Sequence, residues 1–193
     1  MVGTVRAAQK AVDAGVDGLV VEGVEGGGFK GATGASTMVV LPLVASRIDL
    51  PLIAAGGICD AASMAAAMVL GASGVQLGTR MLSSVESPVH ANFKQAVVEA
   101  REVDTLLVSL PGLPTMRVIR TSASEQAHAT GEAGEGLARV RDLYFDGEMD
   151  AALANTGQVA GRIERVQTVQ EIVDEMWGGC LAALDAGRAR LGS

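Results

Sequence analysis

The chain has 193 residues, 49% of them hydrophobic but only 3% aromatic, and a formal net charge of −7. That length suits one ordinary domain or part of a larger one, and the Ala/Val/Leu/Ile/Met-rich apolar content excludes a disordered chain. With three lysines, no basic run, no membrane-length apolar window and no basic-then-apolar leader, the sequence argues against nucleic acid and membranes as partners. It is expected to be cytoplasmic.

Residues 5–15 place Val5, Ala8 and Val12 on one helical face, with Gly15 as the stop. "VDGLVVE" (16–22) reads as a buried strand and runs into the glycine-rich "GVEGGGFKGATG". Residues 36–48 offer Ser36 or Thr37 as a helix cap. Pro42 suits a first turn, so the regular helix is expected to open nearer that residue. "LPLIAAGG" (50–57) is a second buried strand. "DAASMAAAMVLG" (60–71) is a helix capped by Asp60 and stopped at Gly71, and "SGVQLGT" (73–79) is a third strand. Strands alternating with helices over short loops predict consecutive βαβ units and a parallel sheet.

After residue 80 the pattern changes. A helix is expected over 86–100, opening at Glu86 and Pro88, followed by extended pieces at "TLLVSL" and "MRVIR". The Gly/Ala/Glu-rich stretch 122–136 reads as an exposed connector, and the remainder as a small helical appendage. The expected division is therefore residues 1–121 as the α/β part and 122–193 as connector and C-terminal helical region.

Three strand ends carry glycine. In parallel α/β folds the carboxyl ends of the strands gather the functional loops. Gly56 and Gly57 precede a capped helix, and Gly78 and Thr79 follow the next strand. Backbone N–H groups with a hydroxyl suit a phosphate dianion, and glycine lets the oxygens approach. Strand-to-helix turns that simply need positive φ would use the same residues, and spacing alone leaves both readings open. Arg80 reads as a surface ion-pair residue in preference to a phosphate partner. Cys59 and Cys180 are far apart without metal-ligand spacing, and no metal site is expected.

Taken together, "VEGVEGGGFKG", "IAAGGICD", "MVLGASGVQLGTRMLSSVES" and "DGEMDAALANTGQVAGRI" resemble the flavin-dependent nitronate monooxygenase family, whose wider circle includes FMN-dependent enoyl and acyl-CoA reductases. The resemblance runs from about residue 3 to about 175. It implies an FMN-binding (β/α)8 TIM barrel, of which this chain supplies about strands 6–8 plus a helical appendage. As a C-terminal fragment the chain is expected to be inactive alone, and whether Met1 is a true start is open. The family's FMN contacts fall on Gly57, Gln76, Leu77, Gly78 and Thr79, with Gly56 flanking. Gly27 and Gly28 match the glycines that pass close to the flavin.

One departure bears on the chemistry. Where nitronate-oxidising members carry a histidine after the glycine pair, this chain has Phe29, which can neither take a proton nor hydrogen-bond conventionally. No catalytic residue is assigned. His90 and His128 read as solvated surface residues, Lys30 as a solvated lysine, and Glu22 as a structural acceptor. Gln158 matches the family's "GQ" segment, with an ordinary helix-terminal role equally open. The expected function is an FMN-dependent oxidoreductase: a flavin-mediated hydride-transfer reductase or dehydrogenase on a small acyl-CoA-type molecule, with NAD(P)H as candidate electron donor. The alternatives are nitronate oxidation with O2 and a non-catalytic phosphate-ligand module. Self-association is left open.

Overall fold

The computed structural model describes residues 1–31, 34–134 and 136–192. By internal contacts the chain forms two units: residues 1–24, 35–77 and 168–193, and residues 25–34 and 78–167.

The first unit begins with α1 (Val5–Asp13), opened by Thr4, whose hydroxyl accepts from the Ala7 amide. Three parallel strands follow, β1 (Leu19–Glu22), β3 (Leu52–Ala55) and β4 (Gly74–Gln76), ordered β1-β3-β4. The elements between them are α2 (Thr37–Ala45) and α3 (Ala61–Val69). This is the βαβαβ succession that the alternating pattern predicts. Val2 adds an isolated parallel bridge to Val21 on the outer side of β1. Leu19, Val21, Leu52, Ala54, Val40, Leu41 and Val44 are all buried, so the β-branched run and the apolar side of α2 share one core. Here α2 opens at Thr37, with Pro42 inside it, and not near Pro42 as expected. Pro42 removes one ladder donor near the end of a nine-residue helix, while the buried Thr37 hydroxyl ties the first turn to the end of β3.

Asp60 caps α3 as its position suggests. Its Oδ1 accepts from the Ser63 amide and the Ser63 hydroxyl answers at the Asp60 amide. The long helix α7 (Val169–Arg190) packs on α3 with Ile172, Met176 and Cys180 inward. At Gly179 a methyl group would lie 2.7 Å from the Ala61 Cβ, so the closest approach of α3 and α7 admits only glycine.

The second unit holds an antiparallel sheet ordered β2-β6-β5, from β2 (Gly28–Phe29), β5 (Thr105–Val108) and β6 (Met116–Ile119). The two extended pieces expected after residue 100 are thus strands, joined by the end of the glycine loop. Helix α5 (Ala91–Glu99) starts at His90, later than the expected Glu86–Pro88. The stretch expected as an exposed connector is instead α6 (Ser122–Thr130), fixed by a capping box between Thr121 and Ser124 and stopped at Gly131 in the left-handed region. Ala127 belongs to the apolar cluster of Val108, Leu110, Met116, Val118 and Leu153. A short helix α4 (Thr79–Leu82) and a 3-10 turn at Gln158–Arg162 complete the part that matters for the site.

Candidate functional site

In the first unit, the register aligns Glu22, Ala55 and Gln76 at the carboxyl ends of the three parallel strands. Immediately beyond Ala55 lie Gly56 and Gly57, with φ of 81° and 80°. Those angles belong to the left-handed region, so the turn geometry alone accounts for glycine at both positions. Thr37 fixes this turn: its buried hydroxyl donates to the Gly56 carbonyl at 2.7 Å, with the Ala55 carbonyl at 3.2 Å. Sequence reasoning named Thr37 only as a possible helix cap. The missed signal is a hydroxyl one helical turn before Leu41, on the side of α2 that faces the sheet.

Gln76 is exposed and Leu77 half-buried at the end of β4. Gly78, assigned to the second unit, has φ −106°, and a Cβ built on it would meet nothing within 4 Å. Crowding by the described residues does not explain glycine here. The open space fits the approach of an oxygen-rich group to the backbone.

Thr79 is 5% exposed, and its Oγ1 accepts from the Gly157 amide at 2.9 Å. Among the described residues no acceptor is seen for the Thr79 hydroxyl hydrogen. Arg80, expected at the surface, is instead buried and donates through Nη2 to the Gln167 side-chain oxygen. The guanidinium therefore serves the interior of the second unit.

The glycine loop also lies within the second unit, against residues 155–158. A Cβ on Gly27 would sit 2.8 Å from both Gly157 N and the Thr156 carbonyl carbon, and the Gln158 amide donates to the Glu25 carbonyl at 2.9 Å. The chain's own backbone thus requires a bare residue at 27, a reason for glycine that neither a mobile loop nor a neighbouring coenzyme supplies. Gly28 has φ 75°, and its missing side chain would face the Asn155 side chain at 3.7 Å. Phe29 pairs with Met116 in β2 and is 56% exposed. Lys30 is buried, not solvated as expected, and its amide donates to the Thr115 carbonyl at 2.6 Å.

His90 is a capping residue. Its Nδ1 accepts from the Asn92 amide at 3.1 Å and its own amide donates to the Tyr144 carbonyl. His128 is exposed on α6, with Nδ1 2.9 Å from the Leu107 carbonyl. Gln158 opens the 3-10 turn with an exposed side chain. Sequence reasoning passed over Arg117 on β6. It is buried, donates to the Thr105 hydroxyl at 3.0 Å, and is less basic than usual because burial opposes its charge, an effect partly offset by the Glu25 carboxylate. Among the described residues no helix is long and apolar enough to cross a membrane.

Comparison with known proteins bears on what these residues can hold. The family model described as nitronate monooxygenase matches residues 1–179. A probable nitronate monooxygenase of Staphylococcus saprophyticus is 35% identical over 122 residues, covering 57% of this chain and 34% of that protein. A carboxyl-CoA dehydrogenase of Rhodococcus jostii, acting on a hydroxy-methyl-oxo-octahydroindene, is 27% identical and covers 96% of this chain and 65% of its own length. Among solved structures, FabK from Thermotoga maritima matches with a TM-score of 0.92 and 32% identity, over 98% of this chain and 62% of FabK. Nitroalkane oxidase from Streptomyces ansochromogenes shares the fold, with a TM-score of 0.83 at 23% identity. The chain therefore spans between about a third and two thirds of the length of these relatives. Its parallel βαβαβ unit is part of a (β/α)8 barrel fold.

Proposed function

The chain belongs to the nitronate monooxygenase family, and on that premise we propose that it serves as an FMN-dependent oxidoreductase acting as a reductase or dehydrogenase on an acyl-CoA-type substrate. On the family resemblance, Gly56, Gly57, Gln76, Leu77, Gly78 and Thr79 are the proposed contacts for the phosphate-bearing tail of the coenzyme. Gly27 and Gly28 are the proposed neighbours of its ring. Two features of the chain fit such a group: the open space over Gly78 and the donor left on the Thr79 hydroxyl. When bound, FMN supplies the electron chemistry, and the protein supplies position and charge complementarity.

The observation that carries the choice of reaction is Phe29. On the family resemblance Phe29, whose ring is exposed, stands where nitronate-oxidising members carry a histidine, and the two histidines of this chain are used elsewhere: His90 is engaged as the cap of α5, and His128 stands on the surface of α6. Proton abstraction by imidazole at that position is therefore not available to this chain. A reaction that needs no protein base there is favoured, and the relative named as a carboxyl-CoA dehydrogenase supports that direction. Nitronate oxidation is the second reading, favoured by relatives named probable nitronate monooxygenase.

The test uses the natively translated polypeptide that contains this chain. Purified with FMN, it is expected to show a flavin absorbance band that NADH or NADPH bleaches and crotonyl-CoA restores. Brisk oxidation of propionate 3-nitronate, with no response to crotonyl-CoA, would overturn the substrate class. A colourless protein that ignores added FMN would overturn the whole reading.

A further inference from the structure

Asn155 is half-buried and stands between the buried residues Ala151–Ala154 and Thr156–Gly157, in a segment whose backbone is tied to β6. Asn155 bridges Val118 of β6, the Ala154 carbonyl accepts from the Ile119 amide at 2.9 Å, and the Thr156 amide donates to the Arg117 carbonyl at 3.3 Å. The Tyr144 hydroxyl donates to the Asn155 carbonyl at 3.5 Å. The main chain here is satisfied, and so is the Thr156 hydroxyl, which donates to the Ala154 carbonyl at 3.1 Å. The Asn155 Oδ1 atom is different. It is buried and accepts no hydrogen bond from any described residue. Leaving such an acceptor unmade forfeits the hydrogen bonds that water gave it in the unfolded chain, and folded proteins rarely tolerate that without a reason.

The side chain lies over Gly28, in the left-handed loop residue before Phe29. A methyl group on Gly28 would be 3.7 Å from the Asn155 Cγ and 3.8 Å from Nδ2. The backbone bridge to β6 fixes the point from which this side chain projects. We propose that the Asn155 carboxamide is a ligand-binding group, its Oδ1 accepting from an N–H or O–H of a small molecule that lies against Gly28. The proposal rests on the FMN reading above, in which Gly27 and Gly28 neighbour the coenzyme. The donor belongs either to the ring edge of FMN or to the substrate beside it.

The experiment compares wild type, Asn155→Leu and Asn155→Ala in the natively translated polypeptide, by thermal unfolding without ligand, FMN titration, and crotonyl-CoA titration of the FMN-loaded protein. The unliganded Asn155→Leu protein is expected to be at least as thermostable as wild type, because the substitution removes a buried acceptor without a donor. Both variants are expected to lose tenfold or more in affinity: for FMN if the donor is on the coenzyme ring, or for crotonyl-CoA at unchanged FMN affinity if it is on the substrate. Unchanged affinity for both probes overturns the proposal while leaving the FMN reading standing. A marked loss of unliganded stability in both variants also overturns it, since the amide would then be serving the fold. A wild type that binds no FMN overturns the parent reading instead, and this one with it.

Discussion

The Gly157 amide donates to the Thr79 hydroxyl across 2.9 Å, linking residues 78 positions apart within the second unit. Both partners are buried, so removal of the acceptor leaves an N–H with nothing to bind. Thr79→Val is expected to cost about 1–3 kcal/mol in chemical denaturation, and Thr79→Ser about 0.5 kcal/mol or less. FMN affinity is expected to follow the same order, because serine retains both the acceptor and the spare hydrogen. Equal stability of the two variants would remove this hydrogen bond from the account.

Gly27 and Gly78 are both expected near the coenzyme, yet alanine should act differently at each. At position 27 the new methyl group meets backbone atoms at 2.8 Å, and overpacking of that kind costs about 1–3 kcal/mol. At position 78 it meets nothing within 4 Å, so the unliganded protein should lose about 1 kcal/mol or less. Gly78→Ala should nevertheless weaken FMN binding at least tenfold. Unfolding curves and FMN titrations of the two variants separate fold from ligand, and undiminished FMN affinity in Gly78→Ala would count against a phosphate at that turn.

Under the proposed reading, Phe29→His restores an imidazole at the position that nitronate oxidation would use. The side chain is 56% exposed in a two-residue strand, so the substitution should be structurally mild. Turnover of propionate 3-nitronate is expected to rise at least tenfold over wild type, with a pH profile that increases through the imidazole range near 6.5. If wild type already matches the variant, Phe29 does not decide the reaction.

Asp104 gives a pH-dependent signal unrelated to the site. Arg101 clasps its carboxylate through Nε and Nη2, each at 2.9 Å, and the Arg101 amide adds a third bond, so the carboxyl pKa falls to about 2. A carboxyl more acidic in the fold than in the unfolded chain stabilises the fold fully above about pH 4, and that contribution is lost as pH falls through about 2. Asp104→Asn is therefore expected to be less stable than wild type at pH 5, with the gap closing by pH 2. Urea midpoints measured at pH 5, 3 and 2 test this, and a gap independent of pH would refute it.

Some of this structure was legible from local chemistry alone. Asp60 with Ser63, Gly15 and Gly71, and the β-branched runs at 19–22 and 52–55 each specify their element within a few residues, so the parallel unit followed from pattern. Position 27 shows the limit. Its glycine answers to Gly157, a residue far away in sequence, and no local rule reveals that partner. Lys30 and Arg80 were expected in water because charged side chains usually are, but both are buried by contacts that depend on the tertiary fold. The segment 122–130 was mistaken for a connector because Ala, Ser and Glu signal solvent in composition. Its capping box was present in the letters, while the burial of Ala127 depends on two strands that pair only at a distance. Asn155 gave no sequence signal, since an unsatisfied acceptor exists only once everything around it is placed.

The two units alternate along the chain, which passes from one to the other at 24/25, 34/35, 77/78 and 167/168. No single cut releases either as a continuous polypeptide. Attempts to trim the protein to a minimal module, or to swap one unit with a homologue by a single crossover, would sever elements that need each other. A workable chimera must exchange residues 25–34 together with 78–167, which leaves the first unit as three separate pieces of chain.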